Sequence, residues 1–291
     1  MLPVVNVFPE IVPWIFLVST IITAFIKPRI WPIGLLLTLL SGFYFDAISF
    51  FGLGAVILLF SMAFYARKLA DSSLKKTLNL VLTLLILIGC IGLASHAIPG
   101  FNNLLILHQV EKSVNSVPFS MYLNFDKPMI LFILLILYPT ILMNKKQMPL
   151  FKIENKARLS GVVFVSFIII FCLAMLCTLI TVEPELPSWW WIFALNNLLL
   201  TCVIEEVFFR GFIQNKLTKQ FSPIVGLVVA SCLFGIAHFA GGFGYVLIAS
   251  LAGFLYGFVY LNTGKIWHAI LIHFCLNMIH LYFFTYPLIK I

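Results

Sequence analysis

Six side chains with chemistry to offer stand in stretches that are otherwise apolar. Residues 202–214 carry Glu205, Glu206 and Arg210. His238 closes the apolar run that begins at Pro223, and His273 and Asn277 lie together in the last such run, 266–285. A charged residue deep in a transmembrane helix costs about 2.5–3.5 kcal/mol on insertion scales, so such residues are functional-site candidates by default. On a helix Glu205 and Glu206 point about 100° apart, so they do different jobs. Glu206 and Arg210 are spaced i,i+4 with the acid on the N-terminal side, the better orientation for an ion pair. The spacing predicts that Arg210 neutralises Glu206 structurally and that Glu205 faces a cavity.

Glu205 lies about as far before the turn Phe221-Ser222-Pro223 as His238 lies after it. In an antiparallel pair of straight helices the two sit at similar depth. A carboxylate and an imidazole at one level can share a water, the carboxylate taking its proton and the imidazole holding or relaying it. His273 and Asn277, also i,i+4, share a face. Both can donate hydrogen bonds to one point, which is what an oxyanion needs in acyl transfer. His268 and His280 read as interfacial or packing residues. Two glutamates and two histidines also suit zinc, with Glu205, His238 and His273 as ligands and a metal-bound water as nucleophile. The H-E-x-x-H spacing is absent, and the residues leave a metal and a metal-free route both open.

The elements that hold these residues are membrane helices. The chain of 291 residues is 62% apolar and 10% charged, with mean hydropathy +1.11; a soluble domain is about 45–50% apolar and about 25% charged. Apolar runs near the length of a bilayer crossing recur from end to end. They fall at Ile11–Ile26, Trp31–Phe45, Ser49–Ala66, Thr77–Ala94, Pro128–Met143, Leu159–Val182, Trp189–Phe209, Pro223–Phe239, Phe243–Leu261 and Ile266–Thr285. The fold class is therefore all-α, a polytopic transmembrane bundle of about ten spans. Ile11–Ile26 lacks a basic flank and a cleavage site, so it reads as a span rather than a signal peptide. Fifteen of the eighteen basic residues fall in alternate loops. By the positive-inside rule both termini lie outside, and the net charge of +8 is a topology signal rather than a nucleic-acid footprint. The six cysteines all lie in apolar segments, with no C-x-x-C pair, and imply no disulfide framework. The outer loop 95–127 is expected to hold an interfacial helix. The polar stretch 144–158 divides an N-terminal half, 1–150, without motif, from a C-terminal half, 151–291, that carries the chemistry.

Glu-Glu-x-x-x-Arg (Glu205, Glu206, Arg210), Phe-x-x-x-His (Phe234, His238) and His-x-x-x-Asn (His273, Asn277) together resemble the three motifs of the CPBP family. That family includes the CAAX prenyl endopeptidases of the Ras-converting type and the bacterial Abi proteins. The resemblance spans roughly 159–285 and implies an intramembrane endopeptidase, often labelled a metalloprotease. By analogy Glu205 and His238 activate the attacking water, His273 and Asn277 stabilise the oxyanion, and Glu206 and Arg210 support the site. It implies a peptide or lipidated protein substrate, the bilayer as partner, and the bacterial inner (cytoplasmic) membrane as location. The five N-terminal spans carry no such motif.

Two other functions compete. Intramembrane Glu and His can relay protons in a proton-coupled transporter, although no inverted repeat or matching pair of broken helices is present. A non-enzymatic peptide-binding scaffold or immunity protein needs the cavity without the water chemistry.

Overall fold

A computed structural model of the chain describes residues 7–69, 75–146 and 155–290. The described residues are mostly helical, in an all-α polytopic membrane bundle. The helices are α1 (Val12–Ile26), α2 (Trp31–Tyr44), α3 (Phe50–Leu69), α4 (Lys76–Ala94), α5 (Met129–Leu137), α6 (Lys156–Leu176), α7 (Trp190–Gln220), α8 (Pro223–Ile236), α9 (Phe243–Thr263) and α10 (Ile266–Phe283). Among the described residues, α3, α4, α6, α7, α9 and α10 are long and apolar enough to cross a bilayer, and α1, α2 and α8 are shorter apolar helices. The outward faces are apolar as well: Leu80, Leu84, Ile88 and Ile91 of α4 and Phe164, Ile168 and Ile169 of α6 are all exposed. Only lipid can cover such faces, and closing every backbone hydrogen bond within a helix is how a chain tolerates that solvent. The chain is an integral membrane protein.

Local chemistry sets the ends. Asn155 caps α6, its side-chain oxygen accepting from Ala157 N at 2.8 Å. Ser222 caps α8 by accepting from Val225 N, and Pro223 follows as the first helical residue. Gly264, at φ +66°, closes α9 in the left-handed region that favours glycine.

Two expected elements differ. The fifth span, expected over Pro128–Met143, is the nine-residue α5, about 13 Å long at 1.5 Å per residue and too short to cross. Pro139 stops it, since the residue before a proline is pushed out of the helical region, and Tyr138 sits at φ −133°, ψ 81°. The outer loop holds no interfacial helix among its described residues. Instead β1 (Leu104–Val110) and β2 (Phe119–Leu123) form a two-stranded sheet, as their β-branched and aromatic residues favour.

The chain divides into two compact units. Of the described residues, one comprises 7–69, 75–108 and 120–141. Here α1 and α2 are joined by Thr20 Oγ1 and Thr38 Oγ1, 3.2 Å apart, and α5 is buried, with Ile130 through Leu134 at 0–1% exposure. His96 Nδ1 lies 2.7 Å from the buried carboxylate of Asp126.

The other unit comprises, of the described residues, 109–119, 142–146 and 155–290, and holds α6 to α10. Residues 109–119 form a strap within it. Lys112 is buried and donates to the Glu183 carbonyl, Ser113 Oγ donates to Glu183 Oε2 at 2.8 Å, and Val117 N donates to Leu288 O at 3.1 Å. Burial lowers the pKa of Lys112, while Glu183 and Glu185 act to raise it. The strap thus joins the segment entering α7 to the tail that follows α10.

Side chains of α7 reach the backbone of α9 at Gly253 and Gly257. Gln214 Nε2 donates to the Gly257 carbonyl at 3.0 Å. A Cβ on Gly257 would strike Gln214 Oε1 and come to 2.6 Å from Leu227 Cδ1. Overpacking of this kind costs about 1–3 kcal/mol. Gly257→Ala is therefore expected to lower the thermal unfolding midpoint of the detergent-solubilised protein, whereas Gly161→Ala, where a Cβ meets nothing within 4 Å, leaves it unchanged.

Candidate active site

Helix α7 is not a uniform α-helix. Residues Asn197–Cys202 and Val207–Gln214 are π-helical, on either side of one α-turn, Val203–Glu206. Wide π turns are uncommon and appear often at functional sites. Here they flank the two glutamates. Residues 202–212 are all buried, with Glu206 and Arg210 at 0% exposure and Glu205 at 9%.

Glu206 and Arg210 form a buried pair, Nη1 to Oε1 at 2.8 Å. The guanidinium also donates through Nη2 to the Gly253 carbonyl at 2.8 Å. It lies over the rings of Phe234 (4.6 Å) and Tyr256 (5.2 Å), whose faces attract a cation. The Gly253 backbone can come this close because it has no Cβ; one there would meet Arg210 Nη2 at 3.1 Å.

The same Glu206 Oε1 lies 2.9 Å from His273 Nδ1. A carboxylate held by a guanidinium is an acceptor, so Nδ1 carries the proton and Nε2 is left with its lone pair. Nε2 points to Glu205, 3.9 Å from Oε2. The imidazole plane is fixed by Tyr256, stacked on it at 4.6 Å and 14°, and by Phe234 edge-on at 5.6 Å.

Asn277, one turn along α10, donates through Nδ2 to Asn197 Oδ1 at 3.1 Å and approaches Cys202 Sγ at 3.7 Å. The Cys202 thiol also donates to Asn197 Oδ1, at 3.2 Å. His238 is not inside its helix as expected. It follows the end of α8, its Nδ1 meeting the Phe234 carbonyl at 2.7 Å and its ring 4.6 Å from that of Phe234. His280 packs inside the protein: it is buried, and its Nε2 meets the Thr285 carbonyl at 3.1 Å.

His238, His273 and Asn277 line one mostly apolar cavity of about 70 Å³ together with Tyr245, Tyr256 and His280. Glu205 is not among its lining side chains; it stands at the edge, across Nε2 of His273. Among the described residues no group of three His, Cys, Asp or Glu side chains is placed to hold a metal. Nδ1 of His273 is taken by Glu206.

Spacing reasoning missed Asn197 and Gln214. Asn197 lies five residues before Cys202, a separation that a π turn brings together and an i,i+4 search passes over. Gln214 continues the Glu206, Arg210 stripe and was legible only as a polar residue at a helix end.

Removing one partner of a buried ion pair strands the other and costs about 3–5 kcal/mol. Arg210→Met should destabilise the solubilised protein by that amount in thermal unfolding. Adding Glu206→Leu should recover part of the loss, because the stranded charge goes with it.

Residues 187–279 match the family model described as type II CAAX prenyl endopeptidase Rce1-like. No curated protein and no solved structure matches the chain. The matched residues run from before α7 to the end of the His273, Asn277 pair and so contain all three motifs. In that segment the chain is recognised by sequence as similar to the Rce1-like type II CAAX prenyl endopeptidases, the kind of family that its motifs resemble.

Proposed function

We propose that this chain is an intramembrane endopeptidase. It hydrolyses a peptide bond in a peptide or a prenylated, CAAX-type protein, at the bacterial inner (cytoplasmic) membrane. The observation that supports this most is the Glu205 carboxylate, 3.9 Å from Nε2 of His273, beside an apolar cavity within membrane helices. The family likeness of residues 187–279 adds the reaction class. The C-terminal half supplies the chemistry, and the N-terminal half, without motif, supplies membrane scaffold.

In this reading a water enters the cavity beside the imidazoles of His273 and His238, which hold it for attack. Glu205 takes its proton as the oxygen adds to the scissile carbonyl, and later delivers that proton to the leaving amine. Glu206 and Arg210 act on His273: they keep its proton on Nδ1 and its lone pair toward Glu205. Asn197 does the same for Asn277 by engaging its amide. The low dielectric of the cavity strengthens every one of these interactions.

A general base typically contributes 10²–10⁴-fold. Glu205→Gln keeps the shape and removes the base, so cleavage of a farnesylated, internally quenched CAAX-type peptide in proteoliposomes should fall by about that factor, while the protein still binds the peptide. Turnover equal to the parent's would rule the mechanism out. Substrate-dependent proton flux without cleavage would favour a transporter instead.

A further inference from the structure

An amide hydrolase needs a hydrogen-bond donor about 2.7–3.1 Å from the oxyanion that forms. The polar side chains lining the cavity are His238, Tyr245, Tyr256, His273, Asn277 and His280. A neutral imidazole has one N–H and a carboxamide has two. Those of His238, His273 and His280 go to the Phe234 carbonyl, Glu206 and the Thr285 carbonyl. The amide of Asn277 is directed at Asn197 and Cys202. Four of the six side chains have thus directed their donors away from the cavity, and His273 and Asn277, the pair that sequence suggests for the oxyanion, are among them.

Two donors are left, the phenol hydroxyls of Tyr245 and Tyr256. Among the described residues neither hydroxyl has a hydrogen-bonding partner. Tyr256 is already engaged through its ring, which is packed between the Arg210 guanidinium and the His273 imidazole, at 1% exposure. Tyr245 carries no such double packing. It stands in the first turn of α9, half-buried, with its ring 6.0 Å from that of His238. The nearby residue Gly241 leaves it room; a Cβ there would come to 2.6 Å from Tyr245 Cγ.

We propose that Tyr245 is a catalytic residue, the hydroxyl donor to the oxyanion, in the reaction proposed above, on which this assignment rests. The water oxygen bonds to the carbonyl carbon, its proton passes to Glu205, and the carbonyl π pair moves to the oxygen, where the Tyr245 O–H donates to it. The C–N bond then breaks, the carbonyl re-forms, and the proton on Glu205 passes to the leaving nitrogen. The hydroxyl keeps its own proton throughout.

The test uses the full chain in proteoliposomes and the farnesylated, internally quenched CAAX-type peptide. Tyr245→Phe removes one oxygen and should lower kcat about 10²–10³-fold, the usual effect of deleting one oxyanion donor, with KM little changed. A fluorinated tyrosine at position 245 keeps the shape and makes the phenol more acidic. It should retain activity and move the alkaline limb of the kcat profile to lower pH, which a packing role would not do. Turnover that is lost in Glu205→Gln yet unchanged in Tyr245→Phe, or an alkaline limb indifferent to fluorination, overturns this assignment alone. No turnover by the parent chain overturns the peptidase reading and this assignment with it.

Discussion

One carboxylate oxygen, Oε1 of Glu206, receives both a guanidinium N–H and an imidazole N–H within 2.9 Å, in a place that water does not reach. In such a medium an unpaired charge costs several kcal/mol. Much else in the second unit follows from supporting this pair of charges. Arg210 needs a second acceptor, so α9 offers a bare carbonyl at Gly253. The cation needs a surface, and Phe234 and Tyr256 provide two ring faces. Tyr256 then stacks on His273, so the residue that stabilises the arginine also orients the imidazole.

The residue types that do this were readable because hydrocarbon makes polar side chains conspicuous. Glu205, Glu206, Arg210, His238, His273 and Asn277 stand out from a chain that is 62% apolar, and the i,i+4 rule pairs Glu206 with Arg210. The helical class was readable for the same reason. What could not be read was direction. Nothing in the spacing says that the donors of His273 and Asn277 are held by Glu206 and Asn197, because both acceptors lie on another helix. The approach of Glu205 to His273 is equally a tertiary fact. So is the place of His238, which depends on α8 ending at Ile236.

The misread elements have local causes. A run as apolar as 128–143 satisfies any hydropathy window, yet Tyr138-Pro139 ends its helix after nine residues. The outer loop has the mixed pattern of an interfacial helix, but two of its stretches, each with β-branched or aromatic residues, pair instead as β1 and β2.

The wide turns of α7 have a consequence of their own. A π segment holds one more residue per loop of hydrogen bonds than an α segment, so it is commonly an α-helix that has absorbed an insertion. Shortening Val207–Gln214 by a single residue would let that stretch wind back to α while the helix on either side kept its direction. The wide turns therefore confine the effect of the extra residue to their own side chains, and among these are Arg210, held on Glu206, and Gln214, held on the Gly257 carbonyl.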